Sequence, residues 1–286
     1  MPPNYLCNLV IPGAAKSGTS SLHEYLDAHP QIAMSNEKEP HHFCRDDKYP
    51  LGAAAHNGLF VRRTETRYYG ESSTGYLPWP PAADRITHDL NHPKAIIVLR
   101  HPLDRAFSHY RWRFRLGLET RSFMDAVTED GYGYDPERGK GFGYTAYLEF
   151  SNYSKHCPTW ESRLGPDNCL FIAAEHMRED PTAALNACFA FLKLEPMQVA
   201  QDHGSRNETA TLGRRMPKTV THLARFLPES LRTNTVVQKV KSRLLQAAAP
   251  EPPKSMTEEE RIYVNRMLAE DIAWYEARFA AADTKD

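Results

Sequence analysis

The segment GAAKSGTSS at 13–21 gathers two glycines, one lysine and a run of hydroxyls into nine residues. Such a set can hold an anion. Gly13 and Gly18 let the backbone approach closely, Lys16 brings a full positive charge, and Thr19, Ser20 and Ser21 offer hydroxyl hydrogen bonds. A second set lies in KAIIVLRHPLDRAFSHYRWRFR at 94–115, where Arg100 ends an apolar run and Ser108 follows eight residues later. A guanidinium at a strand end and a hydroxyl about two turns along the next helix can close on one phosphate from two sides. Arg105 points to a different helical face and serves structure or substrate, while Arg111 and Arg113 read as a solvated basic face.

The spacing of Gly13 and Gly18 is that of a Walker A loop, GxxxxGK[ST], yet Thr19 stands where that loop needs lysine, and the lysine sits inside the loop at position 16. Metal-assisted phosphoryl transfer also needs a carboxylate near a strand end. Here the run AIIVL ends in Arg100. Both departures weigh against a nucleotide kinase.

Two such sets must be carried by strand–loop–helix units. Residues 5–11 (YLCNLVI) form an apolar run that stops at Pro12-Gly13, and Leu22, Tyr25 and Leu26 recur at helical spacing from Thr19 to Ala28, before His29-Pro30. Residues 95–99 read as a buried parallel strand, and Pro102 suits the first turn of a helix to about Leu116. Residues 169–174 (CLFIAA) predict another strand, and Asp180-Pro181 opens a helix with Leu185, Cys188, Phe189 and Leu192 on one face. Helical patterning recurs at about 143–163 and 257–280. The Gly- and Tyr-rich stretch 131–143 reads as a loop, either a connection or part of an acceptor entrance, and 247–255 as a surface connection. Strands alternating with helices predict an α/β fold: one domain over 1–286, with a central parallel sheet flanked by helices, a core over about 5–195 and a helical covering part over about 196–286.

Composition is that of a globular protein: 286 residues, 41% hydrophobic, 25% charged and a net charge of -1. That balance offers nothing to nucleic acid, so any hold on an anion must be local. Five scattered cysteines without a CxxC pair read as reduced thiols. The amino terminus lacks the pattern of a signal peptide, and no segment approaches the roughly 20 apolar residues of a membrane span. The expected location is the cytoplasm, with no membrane partner; the oligomeric state is left open.

The two anion-holding segments together resemble the nucleotide-binding motifs of the sulfotransferases that use 3'-phosphoadenosine-5'-phosphosulfate (PAPS). GAAKSGTSSLHEYLDAHP is similar to the 5'-phosphosulfate loop and VLRHPLDRAFSHY to the 3'-phosphate motif. The likeness extends through NEKEPHHF (36–43), ESSTGYL (71–77) and IAAEHMREDPTAALNACFAFLKL (172–194), and it is nearest the carbohydrate branch, with the heparan sulfate enzymes and their bacterial relatives. The resemblance implies the P-loop-kinase-like fold of that family and direct, in-line transfer of a sulfuryl group from PAPS to a hydroxyl or amine, releasing 3'-phosphoadenosine-5'-phosphate (PAP). It places Lys16, Ser17, Gly18, Thr19 and Ser20 on the 5'-phosphosulfate, Arg100 and Ser108 on the 3'-phosphate, and Glu39 as catalytic base. Arg214, Arg215 and Lys218, in NETATLGRRMPK, match loosely a basic loop that closes over the nucleotide. One departure concerns ESSTGYL, where the animal heparan branch carries a lysine near the sulfate and this chain has Ser72 and Ser73.

The chemistry asks for an in-line approach, a base for the acceptor proton, and positive charge at the leaving oxygen. Lys16 suits the last role and Glu39 the base, with His41 and His42 as alternative bases. No metal is expected: the sulfuryl group carries less charge than a phosphoryl group, and the His41-His42 pair has no third ligand at a recognisable spacing. Tyr110 and Trp112 read as core residues or, alternatively, as platforms for a sugar ring. The rival readings are a kinase of similar topology and a non-catalytic module that binds nucleotide or a sulfated ligand.

Overall fold

The computed structural model describes residues 4–135, 145–197 and 251–280. Among them five strands form one parallel sheet: β1 (Leu9–Ile11), β2 (Ile32–Met34), β3 (Tyr68–Ser72), β4 (Lys94–Leu99) and β5 (Cys169–Ala173), in the order β2-β3-β1-β4-β5. Helices α1 (Thr19–Asp27), α2 (Gly52–Asn57), α3 (Pro80–Asp89), α4 (Pro102–Arg115), α5 (Phe123–Asp130), α6 (Tyr153–Leu164), α7 (Ala174–Glu179), α8 (Pro181–Phe191), α9 (Glu258–Met267) and α10 (Ala269–Ala280) accompany it.

Alternation along the strands builds two cores. Leu9, Ile11, Ile32, Met34, Ile96, Val98 and Ile172 point to one face, where Leu22 and Leu26 of α1, Met177 of α7 and Leu185, Phe189 and Leu192 cover them. Val10, Ala95, Ile97, Leu99 and Ala173 point to the other, under Ala82, Ala83 and Ile86 of α3, Tyr153, Cys157 and Trp160 of α6, and Tyr275 of α10. Burying both faces is what lets parallel strands stand as nearly continuous apolar runs. A satellite cluster joins α4 to α5, Tyr147, Leu148 and α9.

The α/β expectation holds, with local differences. The run 5–11 yields only Leu9–Ile11 as strand, because β3 and β4 pair with that end of it. Helix in the 143–163 stretch starts at Tyr153, after a short 3-10 turn at Glu149–Ser151. The stretch 257–280 divides into α9 and α10. Residues 136–144, most of the Gly- and Tyr-rich stretch, and the basic trio Arg214, Arg215 and Lys218 lie outside the described residues.

The strand order decides where a ligand can sit. The chain leaves β1 toward β2 and β3 on one side, then crosses to β4 and β5 on the other. The connections therefore diverge between β1 and β4, and a crevice opens at the carboxyl ends of these two strands. The loop at 13–18 and Arg100 both stand there. Among the described residues no helix is long and apolar enough to cross a membrane.

Candidate active site

The loop after β1 is stitched to β4: the Ala14 N–H donates to the Val98 carbonyl (2.6 Å) and the Val98 N–H to the Gly13 carbonyl (2.9 Å). Lys16 takes a left-handed backbone (φ 72°), as does Gly18 (φ 92°), which starts α1 with Thr19 at its first position. At Gly18 a side chain would be strained by that φ and would bring a Cβ 2.6 Å from Met177 Cε. Among the described residues no side chain caps α1, so its leading N–H groups remain for an anion. Ser17 and Thr19 are buried and Ser20 is half-buried. Ser17 Oγ stands beside the Tyr153 hydroxyl without making a hydrogen bond of good geometry.

Lys16 is half-buried, and its ammonium donates no hydrogen bond among the described residues. Burial first, and then repulsion by Arg100, draw its ammonium down to about 8, with Lys38 and Arg105 acting in the same direction and Glu39 against them. These four side chains, two from the end of β4 and α4 and two from the loop after β2, share one field with Lys16. Its Nζ lies over the Trp112 indole, 5.2 Å from the centroid.

Arg100 sits where β4 ends, its carbonyl accepting from the Tyr153 hydroxyl at 3.0 Å. Its Nε is buried and has no hydrogen-bond partner among the described residues. Such a donor is costly unless a ligand supplies an acceptor. Ser108 is half-buried two turns along α4. Arg111, one turn beyond Ser108, also has a buried Nε without a partner among the described residues.

Glu39 reaches the crevice from the loop after β2, in a left-handed conformation (φ 59°) shared by His41 (φ 55°). The Glu39 N–H donates to the Ser72 carbonyl (2.8 Å) and the His41 N–H to Ser73 Oγ (3.0 Å). The Ser73 hydroxyl in turn donates to Glu71 Oε2 (2.8 Å), a fully buried carboxylate that also accepts from the Tyr76 hydroxyl (2.7 Å) and faces His56 Nε2 at 3.4 Å. The loop carrying Glu39 is thus pinned to a buried polar network. The Glu39 carboxylate, 30% exposed, accepts from Thr74 Oγ1 (3.0 Å) and Lys38 Nζ (3.2 Å) and meets His41 Nε2 at 3.3 Å. Burial pushes its carboxyl up, but His41 and Lys38 outweigh that and hold it at about 2.

The structure therefore brings Lys16, Arg100 and Glu39 to one crevice, with Ser17, Gly18, Thr19, Ser20 and Ser108 on the elements that form it. It corrects several expectations. His42 is buried, bonds to the Tyr5 hydroxyl (3.0 Å) and is drawn down to about 4 by burial and His56, so it belongs to the core and not to the acceptor side. Arg113 is no solvated residue: it is buried and donates to the Tyr147 hydroxyl (3.0 Å) and the Leu118 carbonyl (3.1 Å). Of the two roles open to Arg105, the structure gives the structural one, because it is fully buried and donates to Ser151 Oγ and the Tyr147 carbonyl. Tyr110 is core, whereas Trp112 stands half-buried beside Lys16. Ser72, in place of a lysine, pairs with His23 (2.8 Å), which burial and Lys38 keep below its ordinary range and so neutral at pH 7. Positive charge on that side comes from Lys38 instead.

Sequence reasoning missed Lys38, Thr74 and Glu71 as parts of the site. Thr74 and Glu71 lie within ESSTGYL, so the segment was visible while its hydrogen bonds were not. Among the described residues no group of three or more His, Cys, Asp or Glu is placed to hold a metal ion.

The sequence model of the sulfotransferase domain matches residues 7–212, most of the chain. The chain belongs to the sulfotransferase family. Heparan sulfate glucosamine 3-O-sulfotransferase 3A1 of Mus musculus is 28% identical over 202 residues, which cover 70% of this chain and 49% of that protein. The chain thus spans about half the length of the curated relatives it matches. The crystal structure of a sulfotransferase from Alicyclobacillus acidocaldarius superposes with a TM-score of 0.66 at 25% identity, covering 96% of both chains. Mouse sulfotransferase SULT7A1, solved with PAP, shares the fold at a TM-score of 0.50 and 15% identity, over 93% of this chain and 84% of that one. The parallel sheet with diverging connections is therefore the family's P-loop-kinase-like fold, as expected.

Proposed function

We propose that this sulfotransferase moves a sulfuryl group from PAPS to a hydroxyl or amine of a carbohydrate or other small acceptor. The observation that carries the reading is a pair of anion-holding groups at one crevice: the loop with Lys16 before the uncapped α1, and Arg100 at the end of β4, near enough to repel Lys16 and with a buried Nε that has no hydrogen-bond partner among the described residues. Two such groups fit a nucleotide with phosphate at both ends. Lys16 and the leading N–H groups of α1 would hold the 5'-phosphosulfate, and Arg100 with Ser108 the 3'-phosphate.

Glu39 takes the proton from the acceptor as the acceptor oxygen or nitrogen bonds to sulfur. The sulfur–oxygen bond to the 5'-phosphate breaks, its electron pair stays on that oxygen, and Lys16 receives the added charge. In the free enzyme Glu39 is held by Lys38, Thr74 and His41, so an acceptor must displace part of that shell before the carboxylate can act. The carbohydrate assignment is supported by the heparan sulfate relatives. Five free cysteines fit a reducing compartment, and we place the enzyme in the cytoplasm.

Calorimetry with PAP tests the donor. Wild-type protein should bind PAP, Arg100→Ala should bind it roughly 10–100-fold more weakly for loss of charge-assisted hydrogen bonds to phosphate, and ATP with Mg²⁺ should not substitute. Binding of ATP without PAP would sink the donor assignment and promote the kinase reading.

A further inference from the structure

Trp112 lies four residues beyond Ser108 on α4, hence on the same face one turn on. Helical side chains lean toward the amino end of their helix, so the indole covers the turn that carries Ser108. It belongs to none of the four apolar clusters among the described residues, and from α4 it reaches the loop before α1. What it does meet is Lys16: the ammonium stands over the ring face, 5.2 Å from the centroid. The indole also meets the buried ring of His109, tilted, at 6.2 Å.

The surroundings of Lys16 make this contact significant. Facing it are Arg100 from β4, Arg105 from α4 and Lys38 from the loop after β2, all repelling, with Glu39 of that same loop attracting. The ammonium is half-buried and has no hydrogen bond among the described residues. Among the described residues the electron-rich ring face adds its attraction to that of Glu39, and such contacts strengthen as water is removed. We infer that Trp112 is a positioning residue for Lys16: its ring face holds the ammonium, in the charged form, at the junction of the phosphate loop and α4 until the donor arrives. Donor binding then exchanges the indole for phosphate oxygens. This function for Trp112 deepens the PAPS reading and rests on it for the exchange, but the contact itself can be tested without any nucleotide.

The fluorescence owed to Trp112 is obtained by subtracting that of Trp112→Phe from that of the wild type, which removes the signal of Trp79, Trp160 and Trp274. Titrated from pH 6 to 10 in ligand-free protein, the difference should inflect near 8, where Lys16 loses its proton, and the inflection should vanish in Lys16→Met. A flat difference curve, or an inflection that survives Lys16→Met, overturns the inference. A second arm measures PAP affinity across the same range. Trp112→Leu, which keeps bulk but not the π face, should lose affinity about half a pH unit earlier than wild type and bind about threefold more weakly near pH 8, while Trp112→Phe follows the wild type. Equal loss at every pH in both variants would mean that the side chain only fills space, and would also overturn it. Absence of PAP binding in the wild type would count against the donor reading and leave the fluorescence arm to decide this one.

Discussion

Lys16 and Glu39 are tuned in opposite directions by the same small volume. Burial and Arg100 bring the lysine down to about 8, whereas His41 and Lys38, against burial, hold the glutamate at about 2. Since kcat/KM for the donor reports the free enzyme, it should fall above about pH 8 as Lys16 deprotonates. No acid limb from Glu39 is expected until far below pH 4, because a depressed carboxyl stays ionised there. A pH–rate profile of wild type and Lys16→Met checks both: an acid limb near pH 6 that vanished in Glu39→Gln would contradict the Glu39 environment. Glu39→Gln should lower kcat on the order of 10²–10⁴-fold as a lost general base, with PAP affinity changed less than threefold. Steady-state rates set beside calorimetry separate the two effects. If instead PAP binding failed while residual turnover persisted, Glu39 would be a nucleotide contact and not a base.

The unit β1–loop–α1 joins sequence to chemistry most directly. Gly18→Ala puts a Cβ at φ 92°, near Met177 Cε. The left-handed backbone costs about 1–2 kcal/mol, and any relief by unwinding would tilt the leading N–H groups of α1. A lower urea midpoint together with weaker PAP binding is the expected pair of results; unchanged values for both would show that the loop does not need this conformation. That unit was legible because its signals are local, a short apolar run, a glycine-bearing loop and helical spacing from Thr19. β4–α4 was legible for the same reason. β2 and β3 were not. β2 (Ile-Ala-Met) is apolar but only three residues long, and β3 (YYGES) carries a glycine and a glutamate that break the pattern of a strand. Gly70 is accepted because a Cβ there would meet Met34 Sδ at 2.4 Å and Leu9 Cδ2 at 3.2 Å, and Glu71 because Ser73, Tyr76 and His56 satisfy it. These reasons are tertiary and leave no local trace. The same holds for the hold on Glu39 by Thr74, which is 35 residues away in the chain.

Across the whole molecule, buried and partly buried carboxylates with strong partners set the response to acid. Burial raises Glu39, Glu71, Glu119 and Glu149, yet their partners win and each is held below its ordinary range: His41 and Lys38, His56 and Tyr76, Arg121 and Tyr147, and His156 and Lys155 respectively. With folded values below unfolded ones near 4.3, the stabilisation is full above that pH and is lost as pH falls toward about 2 for Glu39 and Glu119. Asp271, raised by burial, runs the other way. The urea midpoint should therefore drop between about pH 4.5 and 2.5, and less steeply in Glu119→Gln, which lies outside the crevice. An identical slope in that variant would remove Glu119 from the account. The carboxyl-terminal helix reaches the crevice by a different route. Asp271 accepts from the Ser154 N–H and hydroxyl (2.9 Å each), and the Tyr275 hydroxyl donates to Glu175 Oε2 (2.6 Å), whose other oxygen receives the His101 N–H (3.3 Å) next to Arg100. The residue that would grip the 3'-phosphate is thus braced by a tyrosine made long after it. On a ribosome, both anion-holding segments would emerge early, yet the brace would be missing until α10 had been synthesised. Donor binding should be among the last properties a nascent chain acquires, and sulfation activity should appear only after nearly the whole described fold is in place.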